Sequence, residues 1–200
     1  HGMWEEVARA DLSGRQFTRE ELQRRQFLEC DFSGAELSDL EVSGARFEGC
    51  RFAGARLNGS EFRSCAFLRC EFRLASLFGT LFEECKMTGS SLVGAEASCM
   101  SIRGGDWSYT DLREIAFGRM ELTGVSFEGA QLNGCRMERS LFRQCRFSRA
   151  WMTGASLEGS DIRGSDLDGV DLLNLRLRNT KIDLAQAVAI AEALGAKYIP

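Results

Sequence analysis

Two hundred residues, 44% of them hydrophobic, are enough to bury one sizeable core, and a formal net charge of −4 is too mild to imply a partner by itself. No run of eighteen apolar residues and no signal-peptide pattern occurs, so the reading is a single soluble, cytoplasmic domain that does not span a membrane. The only histidine, His1, sits with Gly2 ahead of Met3 and reads as a tag scar, and residues 1–9 read as a lead-in.

From Leu12 to Ile182 every fifth residue is apolar, thirty-five in a row with no slip of phase. A helix repeats at 3.6 residues and a strand at 2, so neither explains a period of five. Thirteen of the fourteen Phe fall on these centres, Phe78 being the exception. The residue two before a centre is usually small, as at Ala35, Ala45, Cys50, Ala55, Ser60, Cys65 and Cys70. The residue two after is Gly at seventeen places out of twenty-one Gly in the chain. Such a period signals a solenoid whose units stack over one continuous core.

Toward the middle the pattern inverts. Ala97 stands at a centre, while Met100, Ile115 and Met120 take small positions and Gly105 precedes Trp107. Large and small exchange places, which predicts a bend at Ala97 and Met100. Just before it, "LASLFGTLF" (74–82) is expected to turn Leu74, Phe78 and Leu81 outward. After Ile182 helical spacing begins: Asp183 can cap, and Gly195 suits the stop. Leu184, Val188, Ala191 and Leu194 make one face, followed by Tyr198 and Ile199. That face has two uses, as a lid on the solenoid end or as a two-fold contact.

Seven of the eight cysteines (Cys30, Cys50, Cys65, Cys70, Cys85, Cys135 and Cys145) occupy the small inward position, and Cys99 alone falls elsewhere. They read as reduced core filler rather than disulfides or a metal site, since no CxxC pair exists. No histidine is placed to serve as a base, no phosphate-binding glycine loop occurs, and an unbroken rod offers carboxylates no cleft. No catalytic residue, cofactor or metal is expected; the chain reads as a binding protein.

The runs "ADLSG" (10–14), "CDFSG" (30–34), "ARLNG" (55–59) and "SDLDG" (165–169) resemble the pentapeptide-repeat family, whose motif is roughly A(D/N)LXX. The resemblance covers about residues 10–182. It implies an all-β fold, a right-handed quadrilateral parallel β-helix of about nine coils, with a short C-terminal α-helix over 183–200. The tail resembles that of the topoisomerase-poison resistance subgroup: the Qnr proteins, MfpA, McbG and AlbG. That subgroup implies a homodimer through Leu184, Val188, Ala191, Leu194, Tyr198 and Ile199. It also implies DNA mimicry, with DNA gyrase as the partner and no direct contact with nucleic acid. The carboxylates of Asp106, Asp111, Glu121, Glu158, Asp161, Asp166, Asp168 and Asp171 would stand in for phosphates. The poison countered would be of albicidin, microcin or quinolone type. The alternative is a pentapeptide-repeat scaffold that binds another protein.

Overall fold

The computed structural model describes residues 5–200, and the reading of His1-Gly2 as a tag scar lies outside them. Ten short strands are present in these residues: β1 (Glu5–Ala8), β2 (Arg25–Leu28), β3 (Glu41–Ser43), β4 (Arg46–Glu48), β5 (Glu61–Arg63), β6 (Ala66–Leu68), β7 (Leu81–Glu83), β8 (Ser101–Arg103), β9 (Glu121–Thr123) and β10 (Leu141–Arg143). All pair in parallel with the residue twenty places on, as in Phe27↔Phe47↔Phe67. Single bridges continue the same register elsewhere, for example Asp11↔Asp31↔Arg51↔Glu71. Twenty residues therefore make one coil of four faces, and the chain is a right-handed four-sided β-solenoid.

The five-residue beat has a conformational cause. Of the thirty-five positions on the five-residue corner register from Arg9 to Asn179, seventeen glycines and fourteen other residues have positive φ, thirty-one in all. Each face thus ends in a left-handed corner, which glycine adopts without a Cβ penalty. The four exceptions are Arg19, Cys99, Arg119 and Asn174, and each marks a departure from the regular coil.

At Arg19 the departure is α1 (Arg19–Leu22), a single helical turn that the repeat does not announce. Thr18 and Glu21 form a capping box, yet Leu22 still reaches the core, so the phase survives. At Asn174 a 3-10 turn (Leu172–Asn174), capped by the Asp171 carboxylate, replaces the expected Trp151↔Asp171 bridge. With both end coils altered, the regular stack amounts to about seven turns, not nine.

Inside, identical positions lie on one another. Phe52 is fully buried, and its ring stacks 4.9 Å from Phe32 below and 4.9 Å from Phe72 above, nearly parallel to both. A second column, Phe27, Phe47 and Phe67, meets the first edge-on. The small inward position has a second role besides fitting between rings. Its sulfur or oxygen donates to the carbonyl twenty-three residues earlier: Cys70 Sγ to Phe47 O at 3.4 Å, Ser90 Oγ to Phe67 O at 2.6 Å, Thr80 Oγ1 to Leu57 O at 2.7 Å. Cys, Ser and Thr interchange there because each supplies a donor. Burial pushes the Cys135 thiol up to about 12, so it stays a protonated donor. All eight cysteines are free, and Cys99 is the exposed one.

Leu74 and Phe78 point outward, 71% and 56% exposed, as their positions require. Leu81 does not stay in solvent as expected: it is 8% exposed, because β7 lies inside the four-stranded sheet β3-β5-β7-β8 with a neighbouring strand on each side.

Replacing Phe52 with Ala removes a ring held on both faces and should cost about 3–5 kcal/mol in denaturant unfolding; a loss below about 1 kcal/mol would contradict this packing. Reductant and chelator should each leave the melting temperature unchanged, since the thiols act as hydrogen-bond donors and filler.

Candidate partner-binding site: the acidic C-terminal end

The helix α2 (Leu184–Ala193) begins at Asp183, whose carboxylate accepts from Gln186 N at 2.9 Å while Asp183 N donates to Gln186 Oε1 at 3.0 Å. Gln186 is the buried residue of this helix. Its Nε2 donates to Ile162 O at 2.7 Å and Ser165 O at 2.9 Å, carbonyls for which no further coil exists. Asp183 Oδ2 accepts from Gly164 N at 2.7 Å. With Ala189 and Ile190 packed on the core, α2 closes the end of the solenoid. A polar Gln inside an apolar helix gave no sign in the sequence beyond its place three residues after Asp183.

The other side of the tail stays open. Leu184 and Leu194 are each 72% exposed, Tyr198 and Ile199 are exposed, and Val188 and Ala191 are half-buried. One helix thus carries two apolar sides, one used and one unpartnered.

The eight carboxylates do not form one patch. Glu121, Leu141 and Asp161 share one ladder, and Glu158 stands at the corner before Asp161. Asp106 and Asp166 belong to the next face, Asp111 and Asp171 to the one after, and Asp168 lies at the corner between them. Asp161 is clamped by Arg163 at 2.9 and 2.8 Å, which holds its carboxyl below the usual range. Asp111 accepts two bonds from Arg113, at 2.9 and 2.7 Å. Asp166, Asp168 and Asp171 are exposed and, among the described residues, have no ion pair. The nearest basic side chains of the preceding coil, Arg146 and Arg149, both turn to Glu128, at 3.8 and 2.7 Å. A groove of about 500 Å³ between the last coil and α2 opens beside them, lined by Leu167, Val170, Leu172 and Ala189 among others.

In the N-terminal arm five ion pairs span one coil, Glu5–Arg25, Arg9–Glu29, Asp31–Arg51, Glu36–Arg56 and Arg63–Glu83, while Glu6, Asp11, Asp39, Glu41, Glu71 and Glu84 have none among the described residues.

Mid-rod, the corners at Cys99 and Arg119 are not left-handed, and pairing lapses on two faces: Glu96 does not bridge Ala116, nor Ser101 Glu121. Ala97, Met100, Ile115 and Met120 are all buried there. Gly105 is forced where Trp107 fills the core, since a Cβ on it would meet Cys85 O at 2.5 Å. Among the described residues no cluster of three or more His, Cys, Asp or Glu could hold a metal ion, and no helix is long and apolar enough to cross a membrane.

A repeat scaffold whose distinctive chemistry lies on its outer faces and its closed end is the class these features define. Spans that together cover residues 10–77 and 106–179 match the family of pentapeptide repeats, and the chain belongs to that family. The unmatched stretch, 78–105, holds Ala97 and Met100. A structure of QnrB1, a plasmid-mediated fluoroquinolone resistance protein, is similar over 98% of this chain and 98% of its own, with TM-score 0.81 at 27% identity. Full-length QnrB1 matches 96% of this chain over 100% of its own, with TM-score 0.79 at 27% identity. HetL, a pentapeptide repeat protein involved in heterocyst differentiation regulation in the cyanobacterium Nostoc sp. strain PCC 7120, shares the fold at TM-score 0.63 and 18% identity over 88% of this chain and 84% of its own. No curated protein sequence matches.

Changing Gln186 to Leu leaves two carbonyls unpaired and should destabilise the C-terminal end by about 1–3 kcal/mol, seen as faster amide exchange in α2. The Gly164 N–H bond is the main cause holding the Asp183 carboxyl below its usual value. Its contribution is thus present above the unfolded value of about 4 and fades as pH falls through the lower folded value. Asp183→Ala should cost about 1 kcal/mol at neutral pH and flatten that acid limb in a thermal titration.

Proposed function

We propose that the protein is a DNA mimic that binds DNA gyrase as a homodimer and protects it from a poison, with the carboxylates at the C-terminal end in the place of phosphates. The observation that carries this is a group of exposed acids without an ion pair, Asp166, Asp168 and Asp171, set beside the unpartnered side of α2 at the closed end of the rod. The likeness to QnrB1 supports the reading and favours a quinolone-type poison. The exposed side of α2 and the tail supports a two-fold contact through Leu184, Val188, Ala191, Leu194, Tyr198 and Ile199. Two copies joined there would bring both acidic ends together at the centre of a longer rod. Glu121, Glu158 and Asp161 would serve the opposite faces, Asp161 with its charge already offset by Arg163. The irregular coil at Ala97 and Met100 would bend the arms, and a gyrase partner places the protein in the cytoplasm.

The triple change Asp166→Lys, Asp168→Lys and Asp171→Lys should weaken gyrase binding by about 0.6–3 kcal/mol, roughly 3- to 150-fold, and abolish protection in a supercoiling assay with a quinolone. Full protection by the triple variant would refute the site. Leu184→Asp with Val188→Asp should give monomers on sedimentation; a persistent dimer would move the interface elsewhere.

A further inference from the structure

The mid-rod lapse in pairing opens a cleft of about 620 Å³ between the coil holding Val93–Ser98 and the coil holding Arg113–Ala116, within the range of about 300–1,000 Å³ typical of ligand sites. Its walls carry backbone groups that the regular ladder would have used. One coil earlier, Glu96 N donates to Ala75 O and Leu77 N to Glu96 O, both at 2.9 Å. The equivalents here, Ala116 N to Ala95 O and Ala97 N to Ala116 O, do not form. An open strand edge of this kind accepts another extended backbone.

The rim supplies side-chain contacts to go with the backbone. Leu74 and Phe78 stand at the corners flanking Ser76, which bridges Glu96 on the cleft wall, and Val93 lies exposed on the wall itself. The charged lining is acidic in effect. Glu96 and Glu114 have no ion pair among the described residues, whereas Arg113 is held by Asp111.

We propose that this cleft seats an extended segment of the partner protein. Its backbone pairs with the open groups of Ala95, Ala97 and Ala116. Its apolar side chains lie against Leu74, Phe78 and Val93, and basic side chains beside them meet Glu96 and Glu114. The partner's identity as gyrase rests on the reading above. The segment's chemistry is set by the cleft. A rod that meets its partner at the dimer centre by charge gains here a second anchor, with apolar contacts that salt does not screen.

Cys99 provides the means of testing it. It is the one exposed thiol, at the corner whose carbonyl accepts from Gly79 N at 3.1 Å, so a bulky maleimide reaches it and not the seven buried cysteines. Maleimide-labelled protein, and separately the variant Phe78→Asp with Val93→Asp, should bind gyrase about ten-fold more weakly or worse, as expected for loss of central apolar anchors. Cys99→Ser treated with the same reagent should bind as the untreated protein does. Amide exchange at Ala97 and Ala116 should slow in the complex. Unchanged affinity for both the labelled protein and the double variant, or unchanged exchange at those amides, would overturn the cleft proposal while the triple lysine variant still tests the acidic end. Failure of the unmodified protein to bind gyrase would remove the gyrase reading and this proposal with it. Conversion of the Phe78→Asp, Val93→Asp variant to monomers would make a second copy the occupant and overturn it as well.

Discussion

Everything in this molecule follows from one constraint: each residue lies on the residue twenty positions before it, at a strand spacing of about 4.8 Å. In the core this turns a repeated Phe into a column of stacked rings, as Phe32, Phe52 and Phe72 show at 4.9 Å intervals. It also sets inward Cys, Ser and Thr donors, such as Cys70, Ser90 and Thr80, against carbonyls twenty-three residues earlier. On the outside the same constraint forces neighbours in a column to tolerate each other's charge. Like charges stacked this closely repel; the sign alternates at Asp31 with Arg51 and at Glu36 with Arg56, while Asp11 lies on Asp31 and Glu41 on Glu61.

The proposed binding end lies where that constraint stops. Asp166, Asp168 and Asp171 have no ion pair among the described residues, and the basic residues of the preceding coil nearest to them, Arg146 and Arg149, are engaged with Glu128. Gln186 and Asp183 meanwhile satisfy the carbonyls and the N–H of the last coil, so the end closes without burying a free polar group. The helix that does this keeps a second apolar side outward. A pair of such ends would combine unscreened carboxylates with a hydrophobic junction, and that pairing of properties is what DNA mimicry at a two-fold axis requires.

The positions whose environment repeats were legible from the amino-acid order. Phe52, Cys50 and Gly54 stand where their spacing alone places them, because every coil asks the same of them. What escaped were features decided by a single contact. Thr18 and Glu21 carry a capping-box spacing, but the five-residue beat ran through it with Leu22 on phase, so the helical turn α1 was hidden. Leu81 holds an outward position that two flanking strands cover. Asp161 counts as an acid in the sequence, but Arg163 two residues on clamps it in space. Gln186 as the plug of the solenoid depends on carbonyls that the sequence does not display. The size inversion around Ala97 was visible as an inversion; the cleft and its open backbone groups depend on how Ile115 and Met120 repack.

Charge replacement in a DNA-binding groove makes a strong demand that competition measures directly. Binding of fluorescently labelled protein to gyrase should be displaced by linear duplex DNA, and should weaken steeply as salt rises from low to physiological concentration, because both ligands occupy one basic surface. Simultaneous binding of protein and duplex, with an affinity that salt leaves unchanged, would contradict the account.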